Sequence, residues 1–225
     1  MHIEPGIVNG AKMLLSYGTA LTAFGLTAKF ALDGIKKDGM GSLLLRSLIT
    51  TVLVFCFFEE LPHHPVSVSE VHLILGTTLF LLFGAAPAAV GLAAGLLVQG
   101  IFFAPFDLPQ YGINVTTLLV PLFGIHVLAK KIIPENTAYV DLSYAQTLQL
   151  SAAYQGGIVA WVAFWALYGQ GLGADNLASV GRFGIAYMSV ILVEPLIDLG
   201  VLAAAKTLHQ LKGSMLVEKR LYQAA

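Results

Sequence analysis

Seven stretches of this chain, near residues 8–32, 43–58, 71–86, 88–104, 114–129, 144–169 and 179–206, are dominated by apolar residues. An α-helix needs about 20 such residues to cross a bilayer. The second to fifth stretches are short. The third and fourth are split only by Gly84-Ala85-Ala86-Pro87, which suits a tight hairpin; if that pair does not fully cross, the count falls to six. Composition agrees: 57% of residues are hydrophobic, 11% are charged, and the mean hydropathy is +0.79. A soluble domain carries about 25% charged residues, so a soluble fold and a disordered chain are both excluded. Twelve Lys and Arg against 13 Asp and Glu leave a net charge of −1, which offers no basic surface to nucleic-acid phosphates. The single cysteine, Cys56, sits in an apolar run and excludes an intrachain disulfide and a cysteine metal cluster. The 23 glycines suit close helix approach in a membrane. The expected fold is therefore all-α: one polytopic membrane domain over residues 1–225, with a polar tail at 209–225.

Targeting and orientation follow from charge. Met1-His2-Ile3-Glu4-Pro5-Gly6 has no basic region and no small-residue cleavage site, so no signal peptide is expected and Met1 is read as the mature start. Lys36 and Lys37, Lys130 and Lys131, and Lys206, Lys212, Lys219 and Arg220 follow the first, fifth and seventh stretches. The segments 59–70, 104–113 and 169–176 hold no Lys or Arg. Basic loops stay cytoplasmic, which places the N-terminus outside and the tail inside. Lys12 and Arg182 are exceptions near outer helix ends; Lys29 and Arg46 lie near inner ends, where long side chains snorkel.

With that orientation His2, His63, His64 and His72 fall at the outer face, His126 lies within the fifth stretch, and His209 lies in the tail. His2 has special chemistry. A free α-amine, the amide nitrogen of residue 2 and the imidazole Nδ1 at position 2 close two fused chelate rings around a metal. A fourth nitrogen from another histidine completes a square, a geometry that favours Ni(II) or Cu(II) over Zn(II). From the dipeptide alone, the simpler reading is an exposed terminal residue. Ser69 or Glu70 reads as a helix start, putting His72 in the first turn of the third span. His63 and His64 read as surface residues or an accessory metal-collecting site within a lid at Glu59–Glu70. Gln99 and Asn114 are polar residues placed to orient ligands or to pack between helices.

Met1-His2-Ile3-x-x-Gly6, Val71-His72-Leu73-x-Leu75-Gly76, and Gln99-Gly100-Ile101-Phe102-Phe103 with Gly112-x-Asn114-Val115 together resemble the CbiM/NikM family in order and rough spacing over residues 1–130. These are the substrate-binding membrane subunits of cobalt and nickel energy-coupling-factor transporters of the ABC class. The resemblance implies Ni(II) or Co(II) as transported substrate, held by the Met1 amine, the backbone and imidazole nitrogens of His2, and the His72 imidazole. Asn114 and Gln99 would hold those ligands in place. The sequence departs from the family pattern at Glu4-Pro5, at Pro65–Glu70 and at Ala104–Pro109, and the presumed ligands are intact.

The chain has no phosphate-binding Gly-x-x-x-x-Gly-Lys-Ser/Thr loop, so it is not expected to be an enzyme. The resemblance implies a transmembrane coupling subunit bound to ATPase subunits, a small accessory membrane subunit, and residence in the inner (plasma) membrane. Thr19, Ala23, Thr27 and Ala31 form a small-residue stripe at i,i+4 spacing, expected to dock a partner helix or to pack within this chain. Glu194 and Asp198 sit inside the seventh stretch, where acids face protein or water; pairing with Arg182 or a partner contact is expected. An intramembrane hydrolase is disfavoured because no His-Glu-x-x-His is present. A channel or a subunit for another small solute is the remaining alternative.

Overall fold

The computed structural model describes residues 2–211. They form seven α-helices, α1 (Met13–Asp38), α2 (Met40–Glu59), α3 (Gly76–Phe83), α4 (Ala85–Phe102), α5 (Tyr111–Ile132), α6 (Tyr144–Gln170) and α7 (Ala174–Gln210). A hairpin of β1 (His64–Val66) and β2 (Ser69–Val71) lies between α2 and α3. Five of the helices, α2 and α4 to α7, are long and apolar enough to cross a membrane. Of the other two, α1 has 26 residues but a more polar composition, and α3 has only eight. At about 1.5 Å per residue, α3 is too short to cross alone. Large apolar side chains point outward along the bundle, among them Leu14 and Leu21 on α1, Leu44 and Leu48 on α2, and Ile185 and Leu196 on α7. That outward belt is what a lipid-embedded surface requires.

Local chemistry sets the breaks. Gly39 (φ +85°) separates α1 from α2, and Gly84 (φ +92°) alone separates α3 from α4. Side chains other than glycine rarely adopt such angles. Ser143 starts α6: its Oγ accepts the Gln146 N–H at 3.1 Å while its own N–H donates to Gln146 Oε1 at 2.9 Å.

Two sequence expectations change here. Residues 69–71 form a strand rather than a helix start, so the third apolar stretch is an extended segment followed by the short α3. No strand was expected; the hairpin forms because Ser67 (φ +59°) lets the chain reverse between Val66 and Ser69. The tail expected from 209 lies mostly outside the described residues, and His209 and Gln210 close α7.

Helices α2 and α4 approach closely at glycines. A Cβ on Gly91 would lie 2.3 Å from Thr50 Oγ1 and 2.8 Å from the Thr50 carbonyl carbon, and one on Gly95 would lie 2.6 Å from Val54 Cγ1. Thr50 Oγ1 also donates to the Pro87 carbonyl at 2.7 Å, so the hydroxyl cannot turn aside without losing a buried bond. Gly91→Ala is expected to destabilise the protein by about 1–3 kcal/mol through overpacking, seen as a lowered Tm in detergent. Gly25→Ala, with open space around it, should leave Tm unchanged or raised.

Candidate metal centre

The N-terminal segment lies along the hairpin as an added strand. Ile3 bridges Ser69 in antiparallel sense. The Glu70 N–H donates to the His2 carbonyl at 3.0 Å, and the Glu4 N–H donates to the Val68 carbonyl at 3.1 Å. Ser69 Oγ donates to the same His2 carbonyl at 2.8 Å. On the other side, the Ile3 N–H donates to Asn114 Oδ1 at 2.8 Å. Ile3 is fully buried. Farther along, Gln170 Nε2 donates to the carbonyls of Gly6 and Ile7 at 2.9 and 2.8 Å. This stitching leaves His2 only 5% exposed, against the simpler expectation of an exposed terminal residue.

His72 follows β2 and precedes α3, and is also buried. His2, Glu70 and His72 each offer a ligand atom, and these atoms all lie within 4.8 Å of one another. The two imidazole rings have centroids 5.9 Å apart. Phe58, at the end of α2, sets its ring edge-on to both, at 4.7 Å from His72 and 6.4 Å from His2. His2 Nδ1 donates to Glu70 Oε2 at 2.7 Å, with Asp107 Oδ2 at 3.7 Å. Burial pushes the His2 imidazole below its ordinary pKa, which makes it a neutral ring at neutral pH. Burial, the largest single effect, raises Glu70, but the hydrogen bond from His2 and the positive charge around it, the chain terminus included, together hold the carboxyl below its usual range. His72 Nδ1 faces the Leu73 carbonyl at 3.2 Å, which fixes its proton on Nδ1. The lone pair therefore sits on Nε2, which is buried and has no hydrogen-bond partner among the described residues. Such an orphaned acceptor needs an explanation, and a metal ion supplies one.

Of the expected ligands, His2 and His72 meet and Met1 lies outside the described residues. Asn114 holds Ile3, one residue beyond the ligand. Gln99 reaches the site indirectly: its Nε2 donates to the Phe58 carbonyl and to Glu59 Oε2, both at 3.4 Å. His63 and His64 are exposed on the hairpin side of the site and do not join the cluster. Glu70 was read only as a helix start and an outer acid. Its role at His2 depends on strand pairing between residues 68 apart, and the only local signal is the Val66-Ser67-Val68 alternation around the turn.

The buried acids are corrected too. Glu194 accepts the Ile74 N–H, and Gln155 Nε2 donates to its other oxygen. Tyr187 in turn donates to Gln155 Oε1 at 2.6 Å. Thr78 donates to Asp198. These acids thus receive the start of the broken third crossing, where Leu75 is left-handed (φ +56°) and helical N–H groups lack partners. Arg182 does not pair with them; it bonds Ser67 Oγ at 3.2 Å and braces the hairpin turn. In the α1 stripe, Ala23 and Thr27 are buried against this chain's own helices, and Thr19 and Ala31 are half-buried.

The family model for the cobalt uptake substrate-specific transmembrane region, CbiM, matches residues 2–210. Two solved crystal structures share the fold. One, a truncated transition metal transporter, has a TM-score of 0.65 at 14% identity, covering 91% of this chain and 96% of its own. Another, also a transition metal transporter, has a TM-score of 0.63 at 17% identity, covering 99% of this chain and 98% of its own. No curated protein matches in sequence.

Removing an outer hydrogen bond to a metal ligand lowers affinity by about 10–100-fold. Asn114 acts one residue farther out, on the Ile3 N–H, so Asn114→Ala is expected to lower transition-metal affinity in isothermal titration by about 10-fold, the lower end of that range, while Asn114→Asp, which keeps an acceptor for the Ile3 N–H, should retain most of the affinity. Glu194→Ala frees the segment that carries His72 and should weaken transition-metal binding more than Glu194→Gln, which keeps one acceptor oxygen.

Proposed function

The chain belongs to the CbiM family, the cobalt uptake substrate-specific transmembrane region, and on that premise we propose that it is the metal-binding membrane subunit of an energy-coupling-factor transporter importing Ni(II) or Co(II). It is a multi-pass membrane protein of metal uptake; the inner (plasma) membrane, with seven passes and the N-terminus outside, is the proposed setting. The observation that carries the reading is the buried Nε2 of His72, without a hydrogen-bond partner among the described residues, on a ring clustered with the buried His2 and Glu70.

In this reading the metal takes four nitrogens: the Met1 amine, the amide and Nδ1 of His2, and Nε2 of His72. Binding needs the Nδ1 lone pair of His2, so the ring proton moves to Nε2 and the imidazole stays neutral, while the amide proton leaves to solvent; Glu70, 2.7 Å from Nδ1 before binding, stays ionised beside the metal. The hairpin is the cover over the site, because the N-terminal strand that carries His2 is hydrogen-bonded to it. Release toward the cytoplasm follows reorientation by a transmembrane coupling subunit and ATPase partners, since the sequence has no phosphate-binding loop of its own. A square of nitrogens favours Ni(II) on geometry and also accepts Co(II) and Cu(II).

Isothermal titration of Ni(II), Co(II), Cu(II) and Zn(II) into protein with its native terminus tests this reading. One extra residue before Met1 should abolish high-affinity binding, because it moves the amine off the chelate. A tagged terminus that binds nickel as tightly as the native one overturns the proposal. His72→Ala should cost more than the roughly 10–100-fold of an outer contact.

A further inference from the structure

The end of the bundle away from the metal centre holds a cavity of 360 Å³ that metal binding does not use. α2 runs between the two ends: Phe58 touches His2 and His72, whereas Leu43 and Arg46 line this cavity. Its rim carries Lys29, Asp33 and Lys37 from α1, Asp38 at the α1 terminus, Arg46 from α2 and Lys130 from α5. Four cations face two carboxylates, a surplus of two positive charges. The ammonium groups of Lys29, Lys37 and Lys130 make no hydrogen bond or ion pair among the described residues. Arg46 is held in place by Asp38 and by the Phe83 carbonyl at 3.3 Å. The floor is apolar, formed by Phe30, Leu43, Phe83 and Pro87.

We propose that this cavity binds the phosphate headgroup of an anionic phospholipid. Basic pockets between membrane helices, at the depth of the headgroups, suit such a ligand. Taken separately, Lys29 reads as a snorkelling residue and Lys37 and Lys130 as cytoplasmic loop charges; the fold gathers these three and a pre-positioned guanidinium around one hollow. The apolar floor decides between lipid and free phosphate. A phosphodiester with its glycerol backbone uses both the charged rim and the apolar base, whereas inorganic phosphate uses only the rim. The adjoining outer surfaces of α1 and α2 are lined by exposed Leu32, Met40 and Leu44, over which acyl chains can continue.

The test is native mass spectrometry of the full chain released from nanodiscs of equal phosphatidylglycerol and phosphatidylcholine. Wild type is expected to retain phosphatidylglycerol in preference to phosphatidylcholine. Each of Lys29→Gln, Lys37→Gln and Lys130→Gln should lower retention about fivefold, as expected for a lysine near an anionic headgroup. Lys131→Gln, a neighbour that does not line the cavity, should leave it unchanged, and nickel binding should be unaffected in all four variants. Equal retention of the two lipids overturns the proposal. So does a Lys131→Gln loss as large as that of Lys130→Gln, which would mark general surface charge. Displacement of the lipid by inorganic phosphate at equal concentration would assign the cavity to free phosphate instead and likewise overturns it.

Discussion

The His2 carbonyl accepts two hydrogen bonds, from the Glu70 N–H and from Ser69 Oγ, and the position of the first residues follows from them. A free chain end loses conformational entropy when it is ordered, so several contacts must act together to hold it. The neighbouring N–H of Ile3 is satisfied from the opposite side by Asn114, and the Ile3 side chain is fully buried between. A neutral hydrogen bond is worth about 0.5–1.5 kcal/mol net, but leaving a buried partner unmade costs about 1–3 kcal/mol. The end is therefore held as a unit, between a hairpin on one side and α5 on the other.

His72 is held from the membrane side. It stands between β2 and α3, on a segment whose backbone N–H groups have no helical partner. Irregular backbone at membrane depth is tolerated only where protein satisfies it. Glu194, with Gln155 and Tyr187 behind it, does so at Ile74. One histidine is thus fixed by the hairpin and the other by the buried polar network of α6 and α7, which ties the geometry of the site to the relative placement of hairpin and bundle.

Much of this was legible in the sequence, because apolar runs report helices directly. The stretches expected at 43–58 and 144–169 are α2, Met40–Glu59, and α6, Tyr144–Gln170. The pair His2 and His72 was also legible, from chelate chemistry in one case and from family motifs in the other. What was not legible rests on partners distant in sequence. The hairpin strands have three residues each, too few for alternation to stand out. Glu194 serves a backbone group 120 residues away, and no local pattern announces that. The small-residue stripe of α1 was legible as a packing face but not as to its partner: Gly112 of α5 brings its backbone under Ser16, where a Cβ would lie 3.1 Å from the Ser16 carbonyl oxygen.

The two ends of the bundle also differ in electrostatic character, and the difference bears on how a dication enters a dry site. Placing an isolated charge beside Phe58 and beneath Ile3 is prohibitive unless it is compensated. In the proposed complex the His2 amide nitrogen binds as an anion, supplying one negative charge, and the ionised Glu70 beside the His2 ring supplies another. Two positive charges on the metal then meet two negative ones within the site, and the buried assembly is neutral overall. Four neutral nitrogens without Glu70 would leave a buried double charge. The carboxylate thus has a reason to sit at the chelate even when all the metal's bonds are to nitrogen.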